Sequence, residues 1–195
     1  MKIIAVVLGL IVGGLGGYVG ADSLATRYFA NSGVEKNGWT YALDYAIAEP
    51  PTLAAAAFAK HVMVANVAEE AVYYKETGDT SGNRAYALTI GANDYPPTNA
   101  FWSLTIYYGE LPYNLVKNPI DRSVISNRTE GFMLGDDGSM EILIQHEQPD
   151  GDKTANWLPA PDGAFLLVFR VYEPQESILD GSYAPPPLQL VGNGG

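Results

Sequence analysis

The chain has 195 residues, enough for one domain with a sizeable core, and its 22 acidic against 11 basic side chains leave a formal charge of −11. With no basic stripe to offset that charge, nucleic-acid binding is argued against. Cysteine is absent, which excludes disulfides, thiol nucleophiles, iron–sulfur clusters and cysteine-type zinc sites, and neither cofactor nor metal is expected.

After Met1-Lys2, residues 3–21 contain no charged side chain. At 1.5 Å per residue that run matches the roughly 30 Å hydrocarbon core of a bilayer. Val19-Gly20-Ala21 would suit a cleaved export signal, but the length of the run favours an uncleaved anchor. Gly9, Gly13 and Gly17 recur every four residues and would share one helix face. Lys2 favours an N-terminus on the cytoplasmic side. The expectation from these residues is a single-pass membrane protein with its N-terminus inside and its globular part exported.

Residues 22–38 read as a polar linker with turn signals at Asn31-Ser32-Gly33 and Asn37-Gly38, and 39–191 as the globular domain before a flexible tail, 192–195. Thr52 is a candidate cap for a helix from Leu53 to about Ala68. From Glu70 the pattern turns to strands. Ala71 to Glu76 and Arg84 to Ile90 read as a hairpin around the Gly78–Asn83 turn. In Phe101 to Tyr108, Trp102, Leu104, Ile106 and Tyr108 face one way while Phe101, Ser103, Thr105 and Tyr107 face the other. Further strands are expected at Phe132–Leu134, joined through Gly135–Ser139 to Met140–Gln145, and at Phe165–Tyr172. Many short strands and little helix predict a mainly β chain, a jelly-roll-like antiparallel β-sandwich with a preceding helix and an N-terminal transmembrane helix.

Chemistry-bearing residues are sparse. His61, in the expected helix, reads as structural. His146 ends a strand beside Glu147 and is a weak candidate general base, although a strand-end histidine bonded to backbone is the favoured account. Asp136-Asp137-Gly138 and Asp150-Gly151-Asp152 resemble fragments of calcium loops, but they lack the closing glutamate and turn chemistry is favoured. Arg122 and Arg128 would suit an anion clamp or pair with acids. Trp102 and Trp157, with the tyrosines, would form a sugar-stacking platform or simply core. Ser103, Ser123, Ser126 and Ser139 lack a nucleophile-elbow context, and Asn127-Arg128-Thr129 matches a glycosylation sequon.

Several motifs recur in one order: Glu70-Ala71-Val72-Tyr73, Phe101 to Tyr107, Leu115-Val116-x-Asn118-Pro119-x-x-Arg122, Arg128-Thr129 and Asp137-Gly138-Ser139. They continue with Ile144-Gln145-His146, Asn156 to Pro161, Phe165, Arg170-x-Tyr172-x-Pro174, and Leu179-Asp180-Gly181 with Pro185-Pro186. Together, across residues 67–191, they resemble the bacterial family catalogued as domain of unknown function 1214. The resemblance implies a jelly-roll or sandwich domain, anchored and facing the periplasm, and a companion protein of the unknown-function 1254 type. It implies no established reaction. One departure is Tyr108-Gly109, where the family pattern usually has an aspartate after the tyrosine.

Two functions are expected from these features. The first is an envelope protein, anchored through residues 3–21, whose sandwich binds a partner or small ligand through Trp102, Tyr107, Arg122, Arg128, His146, Asn156 and Trp157. The alternative is an envelope hydrolase acting on a glycan or ester, with His146 as base.

Overall fold

The computed structural model describes residues 2–31, 33–43, 66–110 and 113–193. The helix expected over 53–68, with His61, lies largely outside them. The chain divides into two compact units, one holding the N-terminal helix and the other, Gly33–Leu43 with Ala68–Gly195, holding every described strand.

The helix α1, Lys2–Asn31, continues ten residues past the expected end of the apolar run. Its segment Ile3–Arg27 has a mean hydropathy of 2.2 and none of its most apolar stretch is covered by protein. It is long and apolar enough to cross a membrane, and an export signal meets the same test. A Cβ built at Gly9, Gly13 or Gly17 would meet nothing within 4 Å.

The second unit is mainly β, as the alternation predicts. Its first sheet has six antiparallel strands: β1 (Val34–Lys36), β2 (Trp39–Tyr41), β3 (Ala71–Asp79), β9 (Ala164–Pro174), β5 (Thr98–Tyr108) and β6 (Val124–Ser126), in that spatial order. The second sheet runs β10 (Gln189–Asn193), β4 (Arg84–Ile90), β7 (Met140–Gln145) and β8 (Trp157–Pro159), with β7 and β8 parallel. A 3-10 helix, Gly151–Asn156, precedes β8, and a short helix α2, Glu176–Leu179, follows β9.

Both sheets contribute to one core, with Trp39, Tyr74, Trp102, Leu104 and Phe169 from the first and Leu88, Ile90, Ile142 and Ile144 from the second. Trp102 stacks on Phe169 at 5.3 Å and 13°, and Trp39 meets the same ring edge-on at 6.0 Å. The period-2 reading of β5 holds, since Trp102, Leu104 and Ile106 are buried in this core.

Three local expectations are corrected. β3 and β4 are not a hairpin: β3 pairs with β9 and β4 with β7, so the intervening turn carries the chain from one sheet to the other. Thr80, fully buried, fixes this arch, its hydroxyl donating to Pro161 O while accepting from Gly163 N. Phe132–Leu134 is not a strand, although Gly135 N still donates to Ser139 O across the expected turn. The linker read over 22–38 is instead helix to Asn31 and then strand β1.

β1 and β2 form a hairpin whose turn, Asn37-Gly38, has φ of 55° and 85°, the mirror-image turn geometry that asparagine and glycine tolerate. Lys36 Nζ donates to Gly181 O and Ser182 O, and Trp39 Nε1 donates to Pro186 O, which ties this hairpin to the C-terminal loop.

Candidate functional site

At one end of the sandwich β5, β7 and β8 finish and β9 begins. The loops that leave them enclose a cleft of about 780 Å³, within the range typical of small-ligand sites. Tyr108, Gly109 and Glu110 line one wall, Lys117 and Asn118 another, and His146 to Gln148 with Pro159 to Ala164 complete it. Gly109 N donates to Ala164 O at 3.0 Å. A Cβ on Gly109 would approach that of Ala164 to 2.8 Å, so glycine at this position lets the end of β5 lie this close to β9.

His146 leaves β7 at the cleft wall with its side chain 46% exposed. Its Nδ1 lies 3.1 Å from Ala160 O, an acceptor, which assigns the neutral ring's proton to Nδ1 and leaves Nε2 with a lone pair. Glu147 Oε1 is 4.0 Å from Nε2. The cleft also holds Glu110 and Asp162, so three carboxylates face one ammonium, that of Lys117.

Of the seven residues expected to bind a ligand, His146 and Trp157 line this cleft. The Trp157 ring is itself buried, with Nε1 donating to Gln145 O at 2.9 Å. Arg122 is held elsewhere: its Nη1 donates to Thr154 O, Ala155 O and Trp157 O, gathering the carbonyls at the end of the 3-10 helix. Asn118 closes the turn that presents Arg122, donating to Val116 O and Arg122 O while accepting from Arg122 N. Asn156 accepts from Met133 N and donates to Met133 O and Glu141 O, pinning the loop that had read as a strand. Asp137, from the calcium-like fragment, accepts from Ser139 N within its own turn.

Trp102 belongs to the core, and Tyr107 and Arg128 project from the other face of the six-stranded sheet. There Tyr107 Oη accepts from Arg170, and the Arg128 guanidinium lies 4.1 Å from the centre of the Phe101 ring. The expected residues therefore do not converge. Sequence reading missed Tyr108, Lys117, Glu110 and Asp162 because each lies on a loop or strand end with no motif.

Lys75 projects from the same outer face as Tyr107, and burial lowers its amine from the ordinary 10.5 to about 8. Below pH 8 folded and unfolded chains both hold that proton, and the folded chain bears the full desolvation cost. Between 8 and 10.5 the unfolded chain binds more protons, so stability rises with pH. Above about pH 10 the buried phenols of Tyr74 and Tyr183, pushed up by desolvation, act oppositely. Thermal melts of the detergent-solubilised chain are expected to show a rising limb from pH 8 toward 10, on the order of 1–2 kcal/mol, that Lys75→Met flattens. An unchanged limb in the variant would assign it elsewhere.

The fold and cleft define a two-sheet β-sandwich module with its accessible concave site at one end. The chain belongs to the family described as Protein of unknown function (DUF1214), whose model matches residues 70–176. Among solved structures it is similar to the VPA0106 protein from Vibrio parahaemolyticus, at 24% identity and a TM-score of 0.57 over 73% of this chain. The chain spans 36% of that protein's length, and the likeness bears on fold alone. A protein from Burkholderia cenocepacia aligns over 93% of this chain and 49% of its own at 14% identity, with a TM-score of 0.39, too low to support a structural argument. No curated protein matches the chain.

Proposed function

We propose that this chain is a membrane-tethered binding module of the bacterial envelope, held by α1 with its N-terminus cytoplasmic, whose periplasmic sandwich takes a neutral, hydroxyl-rich ligand in the end cleft. The cleft's composition carries the reading. Three carboxylates against one ammonium oppose an anionic ligand, whereas carboxylates, the Gln148 amide and the His146 ring suit sugar hydroxyls. The Tyr108 ring, 39% exposed at the rim, offers a stacking surface. A companion of the unknown-function 1254 type, implied by the family resemblance, would assemble with the module at the membrane.

Titrating the full-length protein in detergent with neutral oligosaccharides, followed by tyrosine and tryptophan fluorescence, tests the ligand class. Binding that Tyr108→Ala weakens about tenfold, or about 1.4 kcal/mol, is expected. Absence of binding across neutral sugars, or binding unaffected by that change, would overturn it. A catalytic reading has one observation in its favour, the bare Nε2 of His146 beside Glu147 in the cleft. Turnover of the oligosaccharide in the same titration, abolished by His146→Gln, would move the assignment to hydrolysis.

A further inference from the structure

The outer face of the six-stranded sheet carries a second polar constellation, separate from the cleft. Arg170 projects from β9, the third strand inward from the β6 edge, with Tyr73 of β3 and Ser103 of β5 directly across from it. Its guanidinium turns along β5, where Nη1 donates to Thr105 Oγ1 at 2.9 Å and Nη2 to Tyr107 Oη at 2.8 Å. The rings of Tyr73 and Tyr107 flank it, with centroids 5.9 and 5.7 Å from its central carbon.

Two features set this arginine apart. Acids outnumber bases two to one in the chain, yet among the described residues no carboxylate lies within ion-pair distance of the half-buried Arg170. Among the described residues both groups that bond it are neutral hydroxyls, which define its plane without forming an ion pair. Each hydroxyl accepts from Arg170 and so keeps its own proton to donate. Thr105 is 6% exposed, whereas Tyr107 is only half-buried, so the Tyr107 O–H is the one within a ligand's reach. Guanidinium N–H groups and a phenol O–H together form a donor set suited to an oxyanion.

We propose that Arg170 and Tyr107 form a binding site for the carboxylate of a small molecule on the outer face of this sheet. A single guanidinium balances a carboxylate's single charge and matches its two oxygens in plane. A phosphate dianion would be left half-neutralised. Lys75, whose partner across the strands, Val168, is two residues from Arg170, adds positive charge on one side. Arg128, over Phe101, adds it on the other. β3 and β9 themselves carry Glu76 and Glu173; desolvation first, then the Tyr172 phenol and Glu70, raise the Tyr73 phenol, and Glu35 lies across from Thr40, the partner of Lys75.

The test uses full-length protein in detergent, melted in sodium acetate and sodium benzoate against sodium chloride and sodium phosphate at equal ionic strength. A millimolar-range site is expected to raise the melting temperature by about 3–6 °C in 100 mM carboxylate over chloride. Arg170→Gln abolishes the rise and Lys153→Gln, at an exposed position on the 3-10 helix, keeps it. Should Arg170→Gln fail to fold, Tyr107→Phe retains the ring and the arginine, and is expected to weaken carboxylate affinity about fivefold. Equal melting in carboxylate and chloride would overturn the site. So would a rise that survives Tyr107→Phe undiminished, or a phosphate effect larger than that of carboxylate.

Discussion

Trp102→Ala is expected to destabilise the sandwich by about 3–5 kcal/mol, the range for truncating a fully buried large aromatic side chain. Trp102 is 2% exposed and stacks on Phe169, which itself receives the edge of Trp39, so three rings share one packing unit. Removing the Trp102 ring leaves a cavity against β5 and β9, neighbouring strands whose register runs from Thr98↔Pro174 to Tyr108↔Phe165. Those rings are held from both sheets, so the surroundings cannot collapse freely into the gap. Urea or thermal unfolding of the solubilised full chain checks this, with a fall in melting temperature of about 10 °C or more. A cost below about 1 kcal/mol would instead favour the sugar-stacking platform weighed against core for Trp102.

The second large effect concerns α1. Replacing Leu10 and Val12 by arginine places two charges near the centre of the apolar stretch, each costing about 2.5–3.5 kcal/mol on insertion scales. If α1 spans the bilayer, the doubly substituted protein is expected to leave the membrane fraction under alkaline carbonate extraction, while the wild type stays pelleted. Intact mass of the wild-type protein then separates anchor from signal. A species lacking about residues 1–21 would show cleavage after Ala21 and remove the anchor, whereas full mass with retention in the pellet supports it.

The outer-face arginine and the end cleft oppose each other in electrostatic character. The two arginines that would suit an anion clamp or pair with acids do neither: Arg122 bonds three carbonyls and Arg128 lies over an aromatic ring. Much of the family motif is therefore architecture. Asn118, Arg122, Asn156 and Trp157 all bond to backbone carbonyls, a role that hydrogen-bonding side chains fill wherever loops leave peptide groups without a ladder. Such residues look chemical in a sequence because the same donors that satisfy a carbonyl would also hold a ligand.

By itself the sequence determined the apolar helix, the family and the strands long enough to show a period, β3, β4, β5, β7 and β9. In these an apolar residue at every second position dictates which face is buried. It also carried the Asn37-Gly38 turn signal, although strands of three residues on either side were too short to declare themselves. Only the tertiary structure decided which strands are neighbours. Alternation marks a buried face but not its partner, and β3 and β4 bury their faces in one core from opposite sheets as readily as a hairpin would within one. The same limit applies to the sites. The cleft and the Arg170–Tyr107 pair are assembled by strand ends and cross-strand register from residues far apart in the chain, a proximity that no local pattern encodes.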